Sequence, residues 1–142
     1  MGVGGGRAAA ARGRRNLNSL LDTHFLIWVI EASRRLEDHP WLGDYRPWGV
    51  SPVSFLEMKF LGEIGRLDLD GQGFADRVGD DPRFVVDEAP LAALVRHALP
   101  LDWTRDPFDR LLAAHSASRR VPLCTVDRTI RANHRYLPEE MR

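Results

Sequence analysis

Asp22, Glu57, Asp109 and Asp127 each stand where an apolar run meets a helix-start signal. Their contexts are Leu20-Leu21-Asp22-Thr23, Ser54-Phe55-Leu56-Glu57, Asp106-Pro107-Phe108-Asp109-Arg110 and Leu123-Cys124-Thr125-Val126-Asp127. In a parallel α/β sheet the strand ends that lead into helices share one edge, and ligands bind in the crevice there. Carboxylates gathered on that edge repel one another unless a cation lies among them. Mg²⁺ and Mn²⁺ prefer such oxygen ligands, so the pattern predicts a small acidic metal site. Each acid also has a plain local use. Ser54-x-x-Glu57 has the form of a capping box, Asp106-Pro107 that of an N-cap followed by Pro at N1, and Asp22 and Asp127 can cap the helices after them. A cap is worth about 1 kcal/mol, and taken singly each acid reads first as one. Capping leaves two things unexplained: the shared strand-to-helix polarity of all four sites, and the second acid on the helix near Asp106. The two roles are compatible, since a carboxylate at a helix start can also face a cation.

The elements that must position these acids follow from apolar patterning. Strands are expected at Leu17–Leu21, Gly49–Val53, Arg83–Val86 and Val121–Val126. The first helix takes its apolar face from Phe25, Trp28 and Val29 and runs to about Arg35; Asp38 to Pro47 is turn-rich. A helix from Phe55 to about Ile64 should bury Phe55, Met58, Leu61 and Ile64. Gly62, Gly65 and Asp70-Gly71 interrupt the next stretch, with a short helix at Phe74–Val78. Leu91–Leu99 is a helix stopped by Pro100, and Pro107–Ser118 one that buries Phe108, Leu111, Leu112 and His115; a last helix follows Asp127. Alternating strands and helices predict an α/β domain, a central parallel sheet of four or five strands flanked by helices.

The 142 residues suit one domain, read as a basic tail over residues 1–15 and a folded unit over 16–142. Arg7, Arg12, Arg14 and Arg15 are unopposed in that tail, which leaves 16 basic against 20 acidic residues in the body. A duplex-binding module would show a basic face instead; bound cations suit an acidic body better. Lys59 is the sole lysine and follows no Gly-rich loop, which excludes a phosphate-loop lysine. Cys124, the single cysteine, implies a reducing, cytoplasmic setting and reads as a small buried hydrophobe. The five histidines show no zinc-ligand spacing. No stretch approaches the roughly 20 apolar residues that span a bilayer, and the N-terminus lacks the apolar core of a signal peptide.

Leu20-Leu21-Asp22-Thr23-His24 before an apolar helix resembles the opening of a PIN domain. Ser51-Pro52-Val53-Ser54 leading to Glu57-Met58-Lys59, then Gly65-Arg66-Leu67, continues the likeness. Asp106-Pro107-Phe108-Asp109-Arg110-Leu111-Leu112-Ala113, followed by Leu123-Cys124-Thr125-Val126-Asp127-Arg128, completes it. From about Leu17 to Asn133 the order and spacing are similar to VapC-type toxins of type II toxin–antitoxin pairs, most specifically in the Asp-Pro-Phe-Asp-Arg segment. The resemblance implies a PIN-like fold and an Mg²⁺- or Mn²⁺-dependent endoribonuclease. Asp22, Glu57, Asp109 and Asp127 match the family's acidic quartet, and Asp106 matches an additional acid of the subgroup. The chemistry of phosphodiester hydrolysis makes Asp22 and Asp109 the expected direct metal ligands, Asp127 a ligand directly or through water, Asp106 second in rank for its cap role, and Glu57 the group to orient the attacking water. The resemblance further implies a homodimer and a cognate antitoxin in the groove.

Thr23 and Thr125 sit beside quartet members and can hydrogen-bond a carboxylate or only local backbone. Arg110 and Arg128 can contact phosphate or pair with the acids. Two departures from the family stand out: Thr104 where many relatives have His, and a polar C-terminus with Pro138 where relatives add an edge strand. The alternatives are a non-toxin PIN-like domain that processes or binds RNA, and a phosphotransfer domain of haloacid-dehalogenase or receiver type. The dehalogenase pattern wants an acid at His24, and the receiver pattern wants a strand-end lysine.

Overall fold

Short apolar runs form all four strands. In the computed structural model, which describes residues 16–66 and 71–142, they are β1 (Ser19–Leu21), β2 (Trp48–Val50), β3 (Phe84–Val86) and β4 (Leu123–Cys124). All pair in parallel, in the order β3-β2-β1-β4, giving the expected α/β sheet flanked by helices. The expected tail, residues 1–15, lies outside the described residues, as do residues 67–70. Each strand is shorter than the segment expected for it. Pro122 has no N–H for a ladder, although its carbonyl accepts from Leu20 N at 2.8 Å. Gly49 lies opposite Leu20; a Cβ there would come within 2.8 Å of both the Leu17 side chain and the Ser19 carbonyl. Only glycine lets β2 lie so close to the start of β1.

The helices are α1 (Thr23–Ile30), α2 (Pro52–Glu63), α3 (Gly71–Asp80), α4 (Leu91–Ala98), α5 (Pro107–Arg119) and α6 (Arg128–Asn133), with short 3₁₀ turns at Arg34–Asp38, Pro40–Tyr45 and Glu139–Met141. Successive strand residues point to opposite faces, and the core divides accordingly. Leu21 and Cys124 pack with Phe25, Trp48 and Met58 on one face, whereas Leu20 and Leu123 pack with Leu112 and Ile130 on the other. Each fully buried Leu contributes about 1.5–3 kcal/mol, so β1, apolar on both faces, is the natural centre of the sheet.

Three expectations need correction. α1 stops at Ile30, because the chain turns at Ala32, whose φ is +50°. α2 begins earlier than Phe55: Ser51 caps it by accepting from Val53 N at 3.2 Å, and Pro52 occupies the first turn. Its buried face is Ser54, Glu57, Met58 and Leu61; Phe55 is half-buried and Ile64 is 49% exposed. In α5, Leu112 and His115 are buried as expected, but Phe108 and Leu111 are only half-buried. Among the described residues there is no fifth strand. The C-terminal segment instead passes β4, where the Tyr136 carbonyl accepts from Leu123 N at 2.9 Å.

A buried ion-pair cluster ties α5 to the end of β3. The Asp87 carboxylate, fully buried, meets His115 Nε2 at 2.8 Å and Arg119 Nε at 2.6 Å. Burial pushes the Asp87 carboxyl up, but the hydrogen bonds and charges of His115 and Arg119 outweigh it and hold the group below the usual carboxylate range. Its stabilising contribution is therefore complete at neutral pH and lost as pH falls below that range. Removing one partner of a buried pair strands the other. Asp87→Ala should lower unfolding stability by about 3 kcal/mol, read as a shift of the urea midpoint; a change near zero refutes the anchor. His134 gives a second pH window, because burial pushes its imidazole down to about 4. An unfolded His titrates near 6.5, so this group should erode stability as pH falls from about 6.5 to about 4. In His134→Gln the loss over that interval should be smaller.

Candidate functional site

Strand succession runs outward from β1 through β2 to β3, then crosses back to place β4 on the other flank of β1. That reversal is a topological switch point, where an open α/β sheet forms a crevice beyond its strand ends. Asp22 directly follows β1, and Asp127 follows β4 after Thr125 and Val126. α5 packs on β1 and β4 and brings its first turn, with Asp106 and Asp109, to the same edge; α2 packs against α1 and α5 and adds Glu57. All five carboxylates line one cleft of about 600 Å³.

Capping accounts for three of the five. Asp22 caps α1, accepting weakly from His24 N at 3.4 Å on Oδ1. Asp106 caps α5 by accepting from Phe108 N at 2.8 Å and Asp109 N at 3.2 Å, both on Oδ1. Asp127 caps α6 through Oδ1 to Ile130 N at 2.9 Å. Glu57 does not cap: with α2 starting at Pro52, it sits in the helix interior and the capping-box alternative fails. Asp109 is a first-turn residue whose carboxylate accepts no hydrogen bond among the described residues. The two acids with no capping role are thus the ones that need another explanation.

Threonine hydroxyls hold two of the carboxylates. Thr125 Oγ1 donates to Asp22 Oδ2 at 2.5 Å and accepts from Asp127 N at 3.0 Å, linking the ends of β1 and β4. Thr23 Oγ1 lies 2.5 Å from Glu57 Oε1 and 3.1 Å from Ser54 Oγ, linking α1 to α2. Both threonines are fully buried. Of the two roles open to them, the carboxylate-holding one is found.

The electrostatics are those of crowded anions. Burial, followed by the charges of Asp106, Asp22, Asp127 and Glu57, pushes Asp109 up to about 8. Glu57 is pushed up to about 7, again by burial first; the Thr23 hydrogen bond opposes this, and the charges of Asp22, Asp106 and Asp127 add to it. Asp22 is also raised, by burial, against the hydrogen bond from Thr125.

Among the described residues no three His, Cys, Asp or Glu side chains stand close enough to enclose a metal ion as placed. The donor set nevertheless fits a hard cation. It is all carboxylate oxygen, it carries unrelieved negative charge, and Mg²⁺ takes only one or two protein carboxylates while keeping several waters. Asp22, Asp109, Asp127 and Asp106 are the residues able to hold one.

Other side chains fall differently from expectation. Arg110 Nε donates to the Thr104 carbonyl at 2.7 Å and braces the turn before α5; Arg128 does not line the cleft. Cys124 is buried and its thiol pushed up to about 12 by that burial, which leaves it inert. Asp87 follows the apolar run Phe84-Val85-Val86 just as the quartet acids follow theirs, yet it is an internal anchor. Arg35 and Arg66 line the cleft and carry no local signature that marks them.

Asp109 has a raised folded-state pKa, so its contribution is full below the ordinary carboxylate range and lost as pH rises through about 8. In chelator, Asp109→Asn should therefore melt above the parent chain, by a margin that grows from about pH 4 to about pH 8. Added Mg²⁺ should raise the parent's melting temperature and narrow the gap. A variant that melts below its parent in chelator at pH 8 contradicts the repulsion described here.

No protein-family model matches this chain, and neither a curated protein nor a solved structure does.

Proposed function

We propose that this chain is a divalent-metal-dependent endoribonuclease of PIN-like type, acting as the toxin of a type II toxin–antitoxin pair. One observation carries the reading: Asp22, Glu57, Asp109 and Asp127, with Asp106, share a single cleft at the switch point of a parallel sheet. The resemblance supplies the substrate, RNA. Mg²⁺ or Mn²⁺, held by Asp22, Asp109 and Asp127 with Asp106 nearby, supplies Lewis acidity and a more acidic water when bound.

The chain's own residues do the rest. Thr125 fixes the Asp22 carboxylate and, through the Asp127 amide, the start of α6. Thr23 occupies Glu57 Oε1 and leaves Oε2 as an acceptor for a proton from the attacking water. Water oxygen bonds to phosphorus, the ester P–O bond breaks, and the departing oxygen leaves protonated from solvent. Support for protein partners comes from two uncovered apolar stripes, Leu56 and Phe60 on α2 with Ile64 just past its end, and Leu91 and Val95 on α4 with Leu99 just past its end. Phe60 and Ile64 also line the cleft, which suits an antitoxin segment in the groove; the α4 stripe suits a homodimer. No helix among the described residues is long and apolar enough to cross a membrane.

The test is cleavage of total RNA by purified, antitoxin-free protein with and without Mg²⁺ or Mn²⁺. Asp109→Asn should reduce cleavage by about a hundredfold or more while remaining folded, and Thr125→Val should reduce it by about tenfold. Cleavage that survives both chelator and Asp109→Asn excludes the proposal. Growth arrest on expression without antitoxin, absent in Asp109→Asn, separates a toxin from an RNA-processing enzyme.

A further inference from the structure

Arg35 and Arg66 are the arginines that border this anionic cleft, and both are exposed. Neither pairs with a carboxylate. The ion pairs among the described residues are Arg83 with Asp81 and His115 and Arg119 with Asp87. An arginine facing five carboxylates without pairing needs something else to hold it. For Arg35 that is Trp28, whose ring centroid lies 5.5 Å from the guanidinium carbon. Trp28 is itself fixed, edge-on to Phe25 at 5.3 Å and stacked on His39 at 6.3 Å with 13° between planes. An ion pair would neutralise the guanidinium and occupy its donors. A cation–π stack leaves the charge unneutralised and the in-plane N–H groups able to bond elsewhere. Planar, charged and held in place, such a group matches a phosphate, which it can grip by two parallel hydrogen bonds. Among the described residues no aromatic ring braces Arg66 in this way.

We propose that Arg35, stacked on Trp28, is the phosphate anchor of the cleft: it grips a backbone phosphate next to the scissile one and so sets which phosphodiester lies over the carboxylates. This rests on the ribonuclease reading for its substrate but specifies a residue and a role beyond it. Arg35 acts on binding and register, and Asp22, Glu57, Asp109 and Asp127 act on the reaction.

The experiment measures binding apart from cleavage. A short fluorescein-labelled single-stranded oligoribonucleotide is titrated with Asp109→Asn protein in Mg²⁺, by anisotropy, across a salt series. Adding Arg35→Ala should weaken binding about tenfold and reduce the slope of log affinity against log salt by about 0.7, the share of one phosphate contact on a single strand. Arg96→Ala, on α4 and outside the cleft, should change neither. Trp28→Phe, checked by its melting curve, should give an intermediate loss, because the weaker ring still faces the guanidinium. In the otherwise unaltered chain, Arg35→Ala should raise KM with kcat nearly unchanged and shift the pattern of cut positions. If Arg35→Ala binds with parental affinity and salt slope, or if the Asp109→Asn parent shows no binding in Mg²⁺, the anchor is overturned. If the anchor's signature is present but the unaltered protein cuts no RNA, the anchor stands and the nuclease reading falls.

Discussion

Carboxylates gathered in one partly buried cleft, short of water and charged alike, set the character of this molecule. Asp22 and Asp127 are fixed by the ends of β1 and β4, Asp106 and Asp109 by the first turn of α5, and Glu57 by the buried face of α2. Two unit charges about 4 Å apart interact by about 4 kcal/mol at an effective dielectric near 20. A cap returns only about 1 kcal/mol. Burial first, and the charges of the neighbouring carboxylates after it, raise the Asp109 and Glu57 carboxyls, a cost that capping does not explain. The sheet tolerates it because β1 is apolar on both faces and fully buried. Stability drawn from the core holds a charge arrangement that is itself unfavourable, the pattern expected where a site is built for a ligand and not for the fold.

Much of the fold is legible in the sequence because parallel strands buried on both faces read as apolar runs. Residues in Ser19–Leu21 and Phe84–Val86 announce themselves that way. Strand ends do not, because they depend on where hydrogen-bonding partners stop. Thr125, inside an apolar run, lies just past β4, and its hydroxyl donates to Asp22 and accepts from the Asp127 amide. The face of α2 was hidden for a related reason. A three-residue spacing nominates Phe55, Met58, Leu61 and Ile64, but Ser51 caps the helix and the buried face includes Ser54 and Glu57 in place of Ile64. Polar residues buried for their hydrogen bonds to Thr23 leave no mark in an apolar count.

The acids divide in the same way. Asp22 and Asp127 converge as their strand-to-helix positions imply, since topology alone brings such positions to one edge; Asp109 follows no strand and reaches that edge from the first turn of α5. Asp87 has the same preceding context and a different fate. It lies beyond the outer strand β3, away from the reversal between β1 and β4, where Arg119 pairs with it and His115 hydrogen-bonds it. Local sequence marks an acid at a strand end; only strand order decides whether that end faces the crevice. Arg35 is harder still to read, because its defining contact with Trp28 depends on the chain turning back at Ala32.

The contrast between Asp87 and Asp109 also argues for how the cleft stays receptive. Asp87 is held by Arg119 and His115 from its own chain and is fully buried. Asp109 has no such partner among the described residues, although Arg35 and Arg66 border the same cleft. Had either arginine been free to fold onto Asp109, the attraction would have satisfied the carboxylate and removed the reason for a cation to bind. Arg35 lies over Trp28 instead, and Arg66, with no such contact among the described residues, likewise leaves Asp109 unpaired. This keeps opposite charges on separate walls of one groove, with carboxylates facing what is positive and a guanidinium facing what is negative. Separation of unlike charges, no less than the crowding of like ones, is therefore what gives this cleft its chemistry.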